Sequence, residues 1–354
     1  MLPKSRVLIV GGGGIGTIAA LNLEIGGLAS VTLVLRSNYE VVKNHGFTVQ
    51  SIDHGDATGW RPSGGVMPRV PNVLAHSLEP FDFIFCCTKN IPEIPPTLAE
   101  IVRPAVTPGH SAIVLVQNGL NIEKAIFQAF PENVCLSGVS FCGAEETKPG
   151  YVVHNDTDRL DIGAFPGQQK ESKAIEAAQQ LVQMYAASGH VETNYNQDVK
   201  CLRWRKLLIN AVYNPISALA NPDTSRIRLS SLIDKDGRDI IDGLLKPAMK
   251  EVIVAARAVD NVELEEDLIN TTVESDPIEA FIAPSMLQDV RKGRFIECQN
   301  ILGEVIRAAE DVGVEMPIVR TLYHLCNAVQ FRTREAYGMV DSQILLKRYR
   351  RERL

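Results

Sequence analysis

VLIVGGGGIG, residues 7–16, decides the reading of the fold. The run VLIV is short, rich in β-branched residues and apolar on both faces, as a strand of a covered parallel sheet is. Gly11, Gly13 and Gly16 follow it in the G-x-G-x-x-G register, at the start of a helical stretch. In that register the first glycine makes a tight turn, the second lets the backbone approach a pyrophosphate, and the third lets the helix pack closely on the strand. The unpaired N–H groups of the helix N-terminus favour the diphosphate charge. Gly11, Gly12, Gly13, Gly14, Ile15 and Gly16 are therefore candidate cofactor-binding residues.

Working outward, VTLVL (31–35), FDFIFCC (81–87) and AIVLVQ (112–117) repeat the pattern of a buried strand, with helical stretches at 15–23 and 95–102 between them. This βαβ rhythm predicts a Rossmann-type doubly wound sheet. The Pro- and Gly-rich segment 54–71 reads as a surface excursion between strands. VCLSGVSFCGAEE (134–146), GYVVHN (150–155) and RLDIGAF (159–165) read as short strands forming a mixed or antiparallel edge on that sheet. From about residue 198 helix follows helix, with apolar residues at three and four spacing over 236–259, 277–291 and 295–312. The expected fold is α/β, a dinucleotide-binding domain over 1–196 followed by an all-α domain over 197–354.

An NAD-specific site normally ends its second strand with an acid that holds the ribose 2′-hydroxyl. Here VTLVL runs into Arg36, Ser37 and Asn38. A guanidinium at Arg36 pairs with a 2′-phosphate, which predicts NADP(H).

Composition bounds the rest. A length of 354 residues, 45% hydrophobic and 22% charged, suits about two globular domains. A net charge of -6 argues against nucleic acid, which needs a basic face. No apolar run approaches the roughly 18 to 20 residues that cross a bilayer, so no membrane association is expected. Seven cysteines without paired spacing point to a reducing, cytoplasmic compartment. No histidine spacing suggests a metal. The basic tail KRYRRERL reads as a solvated helix end and departs from a peroxisomal Ser-Lys-Leu ending.

WRKLLINAVYNPISAL (204–219) carries Lys206, Asn210 and Asn214 four residues apart among apolar neighbours. Positions four apart advance about 40° on an α-helix, so the three polar groups form a slightly spiralling line. The residues alone leave two explanations open: a catalytic wall, or a snorkelling lysine beside asparagines that bond neighbouring helices. Asn214 precedes Pro215, which also suits a kink, and Ser285 with Gln288 has the S-x-x-Q form of a capping box. On a helix, Glu297 is by default solvent-facing. Lys89 suits a surface charge, and Asn118-Gly119 an ordinary turn.

With GGGGIG (11–16), TKN (88–90), QNG (117–119), WRKLLINAVYNP (204–215) and the 285–297 segment from SMLQDV to its glutamate, the chain resembles the ketopantoate reductase (2-dehydropantoate 2-reductase) family over nearly its whole length. The resemblance implies reduction of 2-dehydropantoate to pantoate with NADPH, on the route to pantothenate and coenzyme A. It implies Lys206 as general acid, Asn210, Asn214 and Ser285 as substrate contacts, and Glu297 at cofactor and substrate. It also implies that Lys89, Asn118 and the backbone near Ala144 contact the cofactor, Asn118 serving the substrate too. Where the family often follows the glutamate with Asn-Gly, this chain has Asn300 and then Leu302-Gly303. Two other readings stand beside this one: a relative reducing a different branched or aromatic 2-oxo acid, and an NADP-sensing protein without turnover. Helical second domains of this kind support homodimers, although nothing in the sequence compels one.

Hydride transfer turns the carbonyl oxygen of a 2-oxo acid into an alkoxide, which needs a proton donor or cation beside it. Lys206 supplies both. Desolvation on an apolar helix lowers a lysine pKa toward neutrality, and a carboxylate such as Glu297 opposes that shift.

Overall fold

The apolar run at 7–10 forms the centre of strand β1, Ser5–Val10, in a computed structural model that describes residues 4–233 and 239–352. The strands that follow are β2 Ala29–Val34, β3 Phe47–Ser51, β4 Ala57–Trp60, β5 Val66–Met67, β6 Phe83–Cys86, β7 Ala112–Leu115, β8 Cys135–Ser140, β9 Gly143–Lys148, β10 Tyr151–Asp156, β11 Arg159–Ala164 and β12 Glu192–Tyr195. Between them lie helices α1 Gly14–Ile25, α2 Tyr39–His45, α3 Leu98–Val102, α4 Lys124–Ala129 and α5 Glu171–Ala186. Eight strands form one sheet in the order β12-β11-β8-β7-β6-β1-β2-β5, parallel except where β11 meets β8. Every residue of β6, β7 and β8 is buried, as expected of strands covered on both faces.

Three expectations are corrected. The 54–71 segment is more than a surface excursion: it supplies β4 and β5, and β5 extends the large sheet beyond β2. GYVVHN does not join that sheet either. As β10 it lies parallel to β3 and antiparallel to β9, in a second sheet of order β4-β3-β10-β9. The helix at 95–102 is also shorter than its periodicity suggests. Thr97 and Glu100 close a reciprocal capping box, so α3 begins at Leu98, after the two prolines.

The remaining helices are α6 Val199–Leu208, α7 Asn214–Ala220, α8 Thr224–Ser230, α9 Lys246–Asp260, α10 Asp267–Val273, α11 Ser285–Arg291, α12 Glu304–Asp311, α13 Pro317–Ala336 and α14 Ser342–Glu352. Among the described residues from Lys200 onward there is no strand. The chain divides into two units: residues up to Gln117 with Asn121–Val199, and the short segment Asn118–Leu120 with everything from Lys200 on.

Three π turns interrupt the helical unit, at Ile209–Tyr213, Ile241–Leu245 and Gln299–Gly303. The first two stand at the same offset before Pro215 and Pro247. A proline in helix has no N–H and its ring strikes the carbonyl four residues back. A turn widened by one residue, in which Asn214 N–H donates to Ile209 O and Lys246 N–H to Ile241 O, carries the helix past the ring. The helix expected over 236–259 is thus a π turn followed by α9, and residues 236–238 lie outside the described part. The one expected over 277–291 is helical only from Ser285. Phe281 N–H instead donates to Ser225 Oγ at 3.0 Å, and Ile282 O accepts from Thr224 N–H at 3.0 Å, which ties this stretch to the start of α8. The one expected over 295–312 begins after Glu297, because the Ile296 peptide is bonded to a side chain of another helix. The buried Gln330 side chain of α13 accepts from Ile296 N–H at 3.0 Å and donates to Ile296 O at 2.9 Å, satisfying the peptide as a neighbouring strand does.

One polar cluster in the sheet unit gives this fold a pH signature. His54 stacks on His190 at 5.5 Å between ring centroids and faces His154 at 6.3 Å. Both its ring nitrogens are buried without a hydrogen-bond partner. Burial, with smaller contributions from the two histidines and opposed by Asp53, holds its pKa at about 4. The unfolded chain takes up this proton near 6.5, so His54 withdraws stability as pH falls from about 6.5 toward 4. Asp158, raised by burial, works in the opposite direction. His54→Gln is expected to flatten the fall in Tm between pH 7 and pH 4 relative to wild type; an unchanged slope removes His54 from the acid sensitivity.

Candidate functional site

In the sheet unit, β1 lies between β2 and β6, and chain order reverses there. Crevices at such reversals, beyond the carboxyl ends of the strands, are where doubly wound sheets bind ligands. The glycine turn stands at this point. A Cβ on Gly11, whose φ is +105°, would sit 2.8 Å from Thr88 N at the end of β6. A Cβ on Gly12 would meet the Leu35 side chain at 2.1 Å, and one on Gly16 would meet Gly11 O at 1.9 Å. A Cβ on Gly14 would lie 2.2 Å from Ala144 O, so the Ala144 backbone does close on the turn.

Gly13 is different. It is exposed, caps α1 with an ordinary φ of -81°, and a Cβ there would meet nothing within 4 Å. The chain's own packing does not require glycine at this position. A pyrophosphate lying against the α1 N-terminus would, so the turn fits a dinucleotide. Arg36 and Lys89 are both exposed, just past the ends of β2 and β6 on either side of β1. Asn38, which sequence reasoning passed over, buries its amide and donates to Gly12 O at 2.9 Å and to Glu146 Oε1 at 2.6 Å. It fixes the glycine turn to β9, the strand that carries Ala144. Gln117 joins the ends of β6 and β7 by donating to Thr88 O at 2.8 Å.

In the helical unit, Trp204 anchors α6 by donating from Nε1 to Asp260 Oδ2 at 2.8 Å, at the end of α9, where Lys200 also pairs with Asp260. Lys206, one turn short of the π turn, is partly buried. Asn210 and Asn214 are buried, and Asn214 Nδ2 donates to Asn210 Oδ1 at 3.1 Å. Helix α11 packs on α7, bringing the Ser285 end of the chain beside the helix that Asn214 opens. Ser285 is not a cap: Pro284 holds the cap position and Gln288 donates instead to Ala283 O at 2.9 Å, which leaves no role for a capping box. Glu297 is 5% exposed rather than solvent-facing, since it precedes the helix and follows the Ile296 peptide pinned by Gln330. The π turn after it packs on the π turn that holds Asn210.

Asn118 also belongs here. Gly119 O accepts from Arg203 Nη1 at 3.1 Å, and Leu120 exchanges two hydrogen bonds with Asn300, N–H to backbone O at 2.9 Å and O from Nδ2 at 3.1 Å. Asn118-Gly119 is therefore not an ordinary turn. Lys206, Asn210, Asn214, Ser285, Glu297 and Asn118 all fall in the helical unit, while the glycine turn, Arg36, Lys89 and Ala144 fall in the sheet unit. Among the described residues, no group of three or more His, Cys, Asp or Glu side chains is placed to hold a metal ion. No described helix is long and apolar enough to cross a membrane.

A doubly wound sheet ending in a dinucleotide turn, with a separate all-α unit, defines the general class. The ketopantoate reductase PanE/ApbA model matches residues 7–167 and its C-terminal companion matches 198–330. The chain belongs to the ketopantoate reductase family, a family of oxidoreductases. It is 34% identical over 350 residues to an uncharacterized protein of Saccharomyces cerevisiae, covering 95% of this chain and 96% of that one. A 2-dehydropantoate 2-reductase structure from Methylococcus capsulatus superposes with a TM-score of 0.74 at 28% identity, over 93% of this chain and 97% of the other. A structure of D-mandelate dehydrogenase with NADH and anilino(oxo)acetate shares the fold, with a TM-score of 0.74 at 20% identity and coverage of 93% and 99%.

Gly13→Ala separates ligand space from packing. It is expected to leave Tm within about 2 °C of wild type while weakening NAD(P)H binding at least about tenfold, equivalent to 1.4 kcal/mol. Titration showing unchanged affinity would remove the pyrophosphate from Gly13.

Proposed function

We propose that this protein is an NADPH-dependent reductase of 2-oxo acids, with 2-dehydropantoate as its substrate and (R)-pantoate as product. The observation that carries this reading is the gathering of Lys206, the bonded Asn210–Asn214 pair and the buried Glu297 in one helical unit of a family of oxidoreductases. Bound NADPH would supply the hydride that reduces the C2 carbonyl. Lys206 hands its ammonium proton to the oxygen of that carbonyl as negative charge develops there, and is re-protonated from solvent after turnover. Asn210 accepts one hydrogen bond from Asn214, which leaves Asn210 N–H donors to orient a carboxylate or hydroxyl. Ser285 adds a hydroxyl to the carboxylate end, and Asn118 orients both substrate and cofactor. Glu297 is the second catalytic residue of this reading, a buried carboxylate placed at the cofactor and substrate.

Arg36 sets the cofactor preference by pairing with the 2′-phosphate, aided by the cation of Lys89 on the other side of β1. Arg36→Ala is expected to lower kcat/KM with NADPH by about tenfold or more while leaving that with NADH within about twofold. A preference for NADH in the wild type contradicts the assignment.

A different branched or aromatic 2-oxo acid is the second reading, favoured by Leu302. It is fully buried in the apolar core where the family often has asparagine, so this wall of the unit offers one amide fewer. A panel of 2-oxo acids with NADPH discriminates the two. Turnover with 2-dehydropantoate, reduced roughly 10²- to 10⁴-fold in kcat by Lys206→Ala with NADPH binding intact, supports the first reading. Turnover only with another acid supports the second, and none with any acid leaves a nucleotide-binding protein. The family includes a dimeric reductase from Staphylococcus aureus; a homodimer in the cytoplasm is the assembly and location in keeping with this reading.

A further inference from the structure

Arg203 and Asn300, each three residues from a proposed site residue, share one neighbouring segment. Arg203 stands one turn of α6 before Lys206, and Asn300 stands in the π turn that follows Glu297. Arg203 and Lys206, three apart in that helix, lie on adjoining parts of its surface. The Arg203 and Asn300 side chains reach the same three residues, Asn118–Leu120, which leave the sheet unit and pack with the helical unit.

Three backbone groups of this short segment are gripped. Gly119 O is taken by the buried Arg203 Nη1 at 3.1 Å. Leu120 O is taken by Asn300 Nδ2 at 3.1 Å, and Leu120 N–H is given to Asn300 O at 2.9 Å. Gly119 has a φ of +106°, and a Cβ there would lie 2.6 Å from Asn300 O and 2.7 Å from Asn300 Cβ. The backbone of the segment thus lies directly on Asn300, at a separation only glycine permits. Leu120, 5% exposed, joins the apolar core of the helical unit. Asn118 is the remaining residue, and its backbone neighbour is fixed from both sides. Asn300 can reach because the π turn Gln299–Gly303 begins beside it, and Asn300 itself is 7% exposed.

We propose that Arg203 and Asn300 are positioning residues: they clamp the Asn118–Leu120 segment to the elements carrying Lys206 and Glu297, so that the Asn118 side chain meets the 2-oxo acid in fixed register with the proton donor. This rests on the reductase reading for its kinetic consequence and on geometry alone for the clamp.

The test is a double-mutant cycle joined to amide exchange. Asn300→Leu, close in volume but unable to donate, is made alone and with Asn118→Ala. The clamp predicts at least a tenfold loss of kcat/KM for the 2-oxo acid from Asn300→Leu alone, and less than twofold further loss when Asn118 is already alanine. It also predicts at least tenfold faster hydrogen exchange at the Leu120 amide. Arg203→Met is expected to follow the same pattern, and Arg203→Lys, which keeps a donor, to recover to within threefold of wild type. Equal losses in both backgrounds, or unchanged Leu120 exchange in Asn300→Leu, overturn the proposal. If the wild type reduces no 2-oxo acid, the reductase reading fails, and the exchange measurement still decides the clamp.

Discussion

Pro215 imposes the constraint on which the helical unit depends. It stands in the most deeply buried helical run of the protein, with no N–H to offer and a ring that would strike the preceding turn. The chain answers with a π turn at Ile209–Tyr213 rather than a break. On an unbroken α-helix, Asn214 would sit about 80° around from Lys206; with one extra residue in the turn that offset becomes about 20°. The proline thus straightens the spiralling line of polar groups, bringing Lys206 and Asn214 nearly above one another, with Asn210 between them in sequence and bonded to Asn214. A kink would have scattered these groups, and a continuous helix would have wound them away.

The same logic recurs wherever this unit departs from regular helix. Ile296 leaves the helical path and Gln330 satisfies its peptide, which buries Glu297. Residues 118–120 leave the sheet unit and Arg203 and Asn300 satisfy them. A buried, unpaired peptide costs about 1–3 kcal/mol, so each irregular stretch persists only where a side chain supplies its bonds. These irregular stretches hold Asn210, Glu297 and Asn118 among the candidate site residues.

Much of the fold was legible because it rests on short-range pattern. The apolar runs at 7–10, 31–35, 81–87 and 112–117 all became neighbouring strands of one sheet, since strands covered on both faces have few other ways to be buried. What pattern could not carry was partner choice. β10 and β11 look alike in sequence, yet β10 pairs with β3, about a hundred residues earlier, and only three-dimensional packing decides that. Helix starts failed for the same reason: Ser285 and Gln288 have the spelling of a capping box, but Pro284 occupies the cap position. In the candidate site, spacing set Lys206, Asn210 and Asn214 in one line on one helical run and Gly11 to Gly16 at one strand-to-helix turn; it left the role of the first three open, which only the family resemblance supplied. Asn38, Arg203 and Gln330 were not, because they act on backbone atoms of residues far along the chain, which no local pattern encodes. Asn300 drew notice only as a departure from the family's Asn-Gly pair.

The central claim is that these residues serve reduction at a keto carbon, and isotope transfer tests it most directly. The protein is incubated with 2-dehydropantoate and NADPH deuterated at the transferable C4 position, and the product is read by mass spectrometry. The account predicts pantoate carrying a single deuterium at C2. Pantoate without the label, or no pantoate beside intact NADPH binding, would contradict it.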